Sequence, residues 1–230
     1  MLIEEERATG ITLESKPFEE FHKIATIFTF EQGLIKLFVQ NAHKKNLPIQ
    51  PYCKVELVYK KGKSGLDYYK DGRLLKMLPN ISSQNPQRGL LEINIANQMA
   101  KIVLSSQCTK SPAQNLYLLF EAYLTTLPLV SNPENLLRSF QLKLLIYEGV
   151  ILIENRCRTC NELLDNSYYC SGEPFCETHI TQDPIHFSPE ESQNLFNLAL
   201  SRSIHEVDEA ILDENFSKKL ECFFEFLRIK

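Results

Sequence analysis

Four residues carry metal chemistry in their spacing. Cys157 and Cys160 are two residues apart, fifteen residues follow, and Cys176 and His179 are again two residues apart. Two intervening residues let a tight turn aim two donors at one ion, and two such turns complete a tetrahedron. Four protein donors leave no open position for water, so the pattern predicts one structural zinc ion and no metal catalysis. Cys170 is the rival fourth donor and would give an all-cysteine set. The second two-residue spacing favours His179, with Cys170 left as the alternative.

The other reading of Cys157-x-x-Cys160 is a redox pair, which needs a strand before it and a helix opening at its first cysteine. Here the pair sits in a polar stretch, Glu154-Asn155-Arg156 to Asn161-Glu162. Cys53, Cys108 and Cys222 lie on or near apolar runs, as buried core thiols do. Gly62-Lys63-Ser64 resembles the end of a phosphate-binding loop, but Leu57 stands where the first glycine is needed and no helical pattern follows. His186 and His205 have no cysteine or serine partner in the pattern. Glu4-Glu5-Glu6 and Glu190-Glu191 read as solvated charge. No catalytic constellation emerges, and the expectation is a protein that is not an enzyme.

A second group of residues has the chemistry of a polyanion surface. Residues 8–79 hold 12 lysines and arginines against 7 acidic residues, a net of +5, although the whole chain is at −4. Lys16, Lys23, Lys36, Lys44, Lys45, Lys60, Lys61, Lys63 and Arg73 are spread through this segment. Phe28, Phe38, Tyr52, Tyr59, Tyr68 and Tyr69 lie among them. Cations that follow a backbone, with rings for base stacking, suit single-stranded nucleic acid. Phe28 and Phe38 are expected mainly in the core. Tyr68 and Tyr69 are adjacent, so one faces inward and the other outward.

The elements that must position these groups fall into two kinds. Ile24, Thr26, Phe28 and Phe30 alternate with Ala25, Ile27 and Thr29. Leu34–Val39 follows Gly33, and Val55, Leu57 and Tyr59 alternate with Glu56, Val58 and Lys60. A run from Leu66 to Leu78 is broken by the turn signal Asp71-Gly72. With Ile11 and Leu13, this makes about five strands, the number of an OB barrel. Beyond them, helices are expected over 86–104, 112–127 and 133–148, each with Pro at its first position after Asn or Ser. Ser188-Pro189-Glu190-Glu191 is a capping box opening another helix, and two more cover 204–212 and 216–228. The fold class is therefore α+β: a five-stranded OB barrel at 1–79, then a helical domain at 80–230 with an inserted zinc knuckle at 157–179. The boundary is placed near Pro79-Asn80. No apolar run is long enough for a membrane span, and the start is too acidic for a signal peptide. Both point to the cytoplasm, where disulfides are rare.

Several segments resemble the RecO family of bacterial recombination and repair proteins. Arg7–Leu13 opening the barrel, Glu20–Thr29, and Gly33-Leu34-Ile35 are similar to that family's N-terminal domain. Leu136–Leu145 running into Arg156-Cys157-Arg158-Thr159-Cys160, and Phe187-Ser188-Pro189-Glu190 after it, resemble its later part. The resemblance implies a nucleoid-associated mediator that binds single- and double-stranded DNA and anneals complementary strands. It implies contacts with RecR and with the acidic tail of single-strand-binding protein, and help in loading RecA. The barrel lysines would then contact phosphates, and Arg138 and Lys143 would edge the groove that takes the acidic tail. The alternative is an OB-plus-zinc module that binds RNA or only a protein partner.

Overall fold

The computed structural model describes residues 5–42, 47–62, 65–79, 86–181 and 183–225. It divides the chain into two compact units, Met1–Pro128 and Leu129–Lys230. The architecture is α+β, a five-stranded OB-type barrel followed by helices. Among the described residues no helix is long and apolar enough to cross a membrane.

In the first unit, β1 (Glu5–Phe18), β2 (His22–Thr29), β3 (Gly33–Val39), β4 (Cys53–Lys60) and β5 (Asp67–Met77) close a barrel in the order β1-β2-β3-β5-β4. All neighbours are antiparallel except β3 and β5, which pair at Leu37–Asp67 and Phe38–Tyr68. The alternation read from the sequence is that of the barrel wall. Ala25, Ile27, Ile35, Leu37, Val39, Val55, Leu57 and Tyr59 point inward and are almost fully buried. A register shift between Thr12 and Glu14 bends β1 so that it can pair with both β2 and β4.

Three expectations need correction here. Asp71-Gly72 is not a turn: β5 runs through it with an irregularity opposite Val58–Tyr59. Gly72 serves close packing, since a Cβ there would come within 2.8 Å of the Tyr69 hydroxyl oxygen. Phe38, expected in the core, is only partly buried on the outer face, whereas Phe28 is buried as expected, its ring against Tyr117 and Phe120. Glu5 and Glu6 are strand residues. Glu6 accepts hydrogen bonds from Gln32 and Tyr59 and pairs with Lys61.

Helices α1 (Pro86–Ser106) and α2 (Gln114–Thr126) belong to the same compact unit as the barrel, which therefore extends past Pro79. Residues 80–85, where the boundary segment was read, lie outside the described residues. α1 buries Ile95, Met99 and Val103 along one stripe. α2 begins at Gln114, two residues later than Pro112 suggested. Ser111 is held against the barrel instead. Its carbonyl would be 1.9 Å from a Cβ on Gly33, which sits at a φ of +70°, a combination only glycine tolerates.

The second unit is built on α3 (Pro133–Tyr147), with Leu136, Leu137, Phe140 and Leu144 fully buried or nearly so. Tyr147, the last residue of the helix, is 45% exposed. A three-stranded sheet then appears that the sequence pattern did not suggest: β6 (Ser167–Cys170), β7 (Glu173–Phe175) and β8 (Ile185–Phe187), in the order β7-β6-β8. α4 (Pro189–Leu200), α5 (Ile204–Asp208) and α6 (Glu214–Glu225) complete the unit. Ser188 and Glu191 form the expected reciprocal cap on α4. Asn132 does not cap α3 with its side chain. The Asp208 carboxylate takes the backbone N–H groups of Ser131 and Asn132 instead.

Candidate metal centre and nucleic-acid surface

Two turns deliver the metal-type donors. An isolated bridge between Arg156 and Leu163 closes the first. Inside it the Asn161 N–H donates to the Cys157 carbonyl and the Cys157 N–H to the Glu162 carbonyl. The β6–β7 hairpin turns at Ser171 and Gly172, both at positive φ, the geometry of a two-residue hairpin. Glu173 and Pro174 already lie in β7. A Cβ on Gly172 would stand 2.5 Å from the Val150 carbonyl oxygen. A short helical turn, Glu177–His179, then swings the His179 ring back toward Cys176.

The sulfurs of Cys157, Cys160 and Cys176 and a ring nitrogen of His179 all lie within 4.8 Å of one another. Cys160 and Cys176 are 3.8 Å apart, Cys157 and His179 Nδ1 3.8 Å, and Cys176 and His179 Nδ1 3.1 Å. Two sulfurs at about 2.3 Å from one zinc span a tetrahedral edge of about 3.8 Å, so the donor set fits such an ion. Cys170, the alternative donor, lies outside this group and is buried in β6.

The electrostatics of the group favour a cation. Burial pushes the Cys157 thiol up, but the backbone N–H groups of Cys160, Cys176 and Thr159 aim at its sulfur and bring it below the ordinary value. The Thr178 hydroxyl, 3.0 Å away, is the main cause that holds the Cys176 thiol down to about 7. At Cys160 the Glu162 backbone N–H favours the thiolate. Desolvation and the neighbouring sulfurs outweigh it and hold the thiol at about 11. Three adjacent thiols cannot all ionise unless a positive charge sits among them. Cys157, Cys160, Cys176 and His179 would hold the ion, and its chemistry would be structural, since all four corners are protein atoms.

Among the remaining cysteines, Cys53 is buried, as expected of a core thiol. Cys108 and Cys222 are exposed, against expectation. Cys222 falls on the polar side of α6, whose inward stripe is Phe216, Leu220, Phe223 and Phe224. Cys108 follows the end of α1.

The barrel cations divide into three groups. Lys16, Lys23 and Lys36 lie on β1, β2 and β3. Lys16 pairs with Glu14 at 2.7 Å, while Lys23 and Lys36 have no carboxylate partner among the described residues. Lys60 and Lys61 lie at the end of β4, near Glu5 and Glu6 respectively. Arg73 bonds Glu56 at 3.0 Å on the β4–β5 side. Lys44, Lys45 and Lys63 lie outside the described residues. Of the paired tyrosines, Tyr68 faces outward and Tyr69 packs on the barrel core.

Arg138 and Lys143 are occupied within their own unit. The Arg138 guanidinium lies over the Phe224 ring and meets Glu221 at 3.3 Å. Lys143 is half-buried, donates to the Ser201 carbonyl after α4, and is pulled below its ordinary pKa by desolvation. A cavity of about 710 Å³ in this unit is lined by Ile153, Leu164, Phe196 and Leu200, with Arg156 as its one cation and Glu154 and Asp165 as its acids. Sequence reasoning missed this cavity, because its lining comes from three separated segments without a shared period.

Also unforeseen was Asp67, fully buried at the start of β5. It accepts the Gly62 N–H and pairs with Lys110, and so pins the β4–β5 loop.

The fold and the donor cluster together define a class: an OB-barrel protein with a helical unit carrying a Cys₃His knuckle. Comparison with known proteins narrows it. Residues 1–78 match the family described as recombination protein O, N terminal, and residues 90–222 match recombination protein O, C terminal. The DNA repair protein RecO of Chlamydia pneumoniae is 29% identical over 192 residues, covering 81% of this chain and 74% of its own. That of Chlamydia muridarum is 29% identical over 208 residues, covering 86% and 85%. That of Nostoc punctiforme is 32% identical over 130 residues, covering 55% and 41%. The chain belongs to the RecO family, and with it to the proteins of DNA repair and recombination.

Proposed function

We propose that the protein is a recombination mediator rather than an enzyme. In this reading it binds single- and double-stranded DNA through the barrel, anneals complementary strands, and acts with RecR to load RecA in the cytoplasm, at the nucleoid. The observation that carries the reading is a cationic OB barrel joined to matches with both parts of the RecO family. Lys16, Lys23 and Lys36 lie on the β1–β3 side, and the outer face of β2 and β3 is where OB barrels take oligonucleotides. Lys44, Lys45, Lys60, Lys61, Lys63 and Arg73 are proposed as further phosphate contacts. Cys157, Cys160, Cys176 and His179 hold one structural zinc that orders the knuckle of the second unit. The acidic tail of single-strand-binding protein docks on that unit, where Arg138 and Lys143 contribute through the packing they maintain.

Fluorescence anisotropy with a labelled single strand and the matching duplex, across a salt series, tests the core of this reading. Neutralising phosphates releases counterions, so affinity should fall steeply with salt. A strand-annealing readout and a RecR pull-down extend the test. Absence of salt-sensitive binding, alone and with RecR, would remove the DNA role. The rival reading, a module that binds RNA or only a protein, draws on the pairing of Lys61 and Arg73 with glutamates, which lowers the charge available to phosphates. Preference for RNA in the same assay favours the rival.

A further inference from the structure

The outer face of β1, β2 and β3 is laid out in rungs. Glu14, Thr26 and Lys36 are cross-strand partners in one rung, and Lys16, Ile24 and Phe38 in the next. Phe18 and His22 form the last. Tyr68 joins from β5, opposite Phe38. The ring of Phe38 is met by Phe18 at 5.9 Å, by His22 at 5.0 Å and by Tyr68 at 5.9 Å. Phe18 and Tyr68 nevertheless stay 41% and 48% exposed, and Phe21 in the adjoining β1–β2 loop 52%. Such a patch is not core: rings buried for stability lose their surface, whereas these keep nearly half of it.

Its surroundings say what would cover it. Lys36 precedes Phe38 by two residues on one strand, so cation and ring project from the same face about 6.7 Å apart. A cavity of about 370 Å³ beside them is lined by Lys16, Lys36, Thr26, Gln107 and Thr109, with Glu14 as its one acid. Glu14 is engaged by Lys16 and by the Thr26 hydroxyl, while Lys36 has no carboxylate partner among the described residues. Glu19 and Glu20 in the β1–β2 loop repel phosphates, which directs a polyanion toward the lysine rungs. Phe18 leads into that loop and Tyr68 leads out of the β4–β5 loop, the two loops that OB barrels use with oligonucleotides.

We infer that Phe18, His22, Phe38 and Tyr68 form a stacking platform for unpaired bases of single-stranded DNA, with Lys36 and Lys16 seating the adjacent phosphates. The inference rests on the DNA-binding reading and adds to it a means of telling a single strand from a duplex. A duplex keeps its base faces stacked on each other and offers this patch only its backbone. Selectivity for the open strand therefore sits in the rings, and the lysines serve both forms.

The test uses the full chain loaded with zinc. Binding of oligothymidylate and of a hairpin duplex of equal charge is measured by anisotropy across a salt series. A strand carrying 2-aminopurine reports stacking by its fluorescence. Phe18→Ala with Tyr68→Ala should weaken single-strand binding by about tenfold or more. It should leave duplex affinity and the salt slope unchanged and abolish the 2-aminopurine response. Tyr68→Phe keeps the ring and should bind like the parent. Lys36→Ala should lower affinity for both forms and reduce the salt slope by about 1. A double ring variant that melts like the parent and binds the single strand as tightly overturns the platform, as does an equal loss for strand and duplex. Tighter binding of RNA of the same sequence overturns the choice of ligand. A parent that binds neither form at low salt overturns the DNA reading itself, a separate outcome from loss of the platform alone.

Discussion

The barrel hides Ile27, Ile35, Leu37 and Tyr59 completely from water. Between Arg156 and His179, by contrast, only a few residues such as Tyr169 and Cys170 are comparably buried. The five strands close on an apolar core, and their order needs nothing beyond alternation and burial. The knuckle has strands of three and four residues, too short to hold register without help. What gathers it is a set of donors aimed at one point. One protein therefore contains a segment stabilised by loss of water and another whose four donors could hold a cation.

Removing the metal should break this contrast most sharply. Cys157→Ser is expected to release one zinc per chain, read by native mass spectrometry, and to expose the amides of 155–180 to hydrogen exchange. Structural zinc binding is worth on the order of 10 kcal/mol in small zinc peptides, so the local loss is total while the barrel amides stay protected. Cys170→Ser should retain the metal, and His179→Ala should not. The reverse pattern would make Cys170 the fourth donor.

The complementary cut is Leu37→Ala. A buried leucine truncated to alanine costs about 2–5 kcal/mol. Chemical denaturation should show that loss in the barrel, with zinc content unchanged. Ser188→Ala comes next, at about 1 kcal/mol, since it removes one half of a reciprocal cap. Thermal melting of the second unit's transition would record it.

The smallest effect is a pH dependence at the mouth of the barrel. Burial alone would raise the Glu6 carboxyl, but hydrogen bonds from Lys61, Gln32 and Tyr59 outweigh it and hold the group down to about 2. A folded value below the unfolded one means the contribution is present above about pH 4.5 and lost as pH falls toward 2. Glu6→Gln should lower the melting temperature slightly at neutral pH, by less than about 1 kcal/mol for a partly exposed network. The difference from the parent should vanish near pH 2.

What was legible in the sequence follows the same division. Alternation in β2, β3 and β4 is a period-2 signal, and the core lies where that signal puts it. The donor spacing around Cys157 and His179 could be read because metal geometry constrains sequence distance directly. The three short strands of the knuckle left no trace, since three or four residues show no period. The start of α2 was misplaced because Ser111 and Pro112 imitate a cap while Gly33 draws that segment onto the barrel. Glu6 reads as surface charge and Asp67 gives no signal at all, because a buried carboxylate is defined by partners distant in sequence. The aromatic patch was visible only as scattered rings until the register of β1, β3 and β5 placed Phe18, Phe38 and Tyr68 side by side.

The brace on α3 has a consequence for the order in which the chain acquires its shape. Asp208 reaches back 76 residues to hold the backbone of Asn132. During synthesis the ribosome releases the whole of the first unit before that carboxylate exists, so the barrel can close early. The entry to α3 stays untethered until α5 has emerged. A chain cut short between the end of α3 and Asp208 would carry a finished barrel followed by a helix without this anchor at its start. Quality-control proteases would meet that end first.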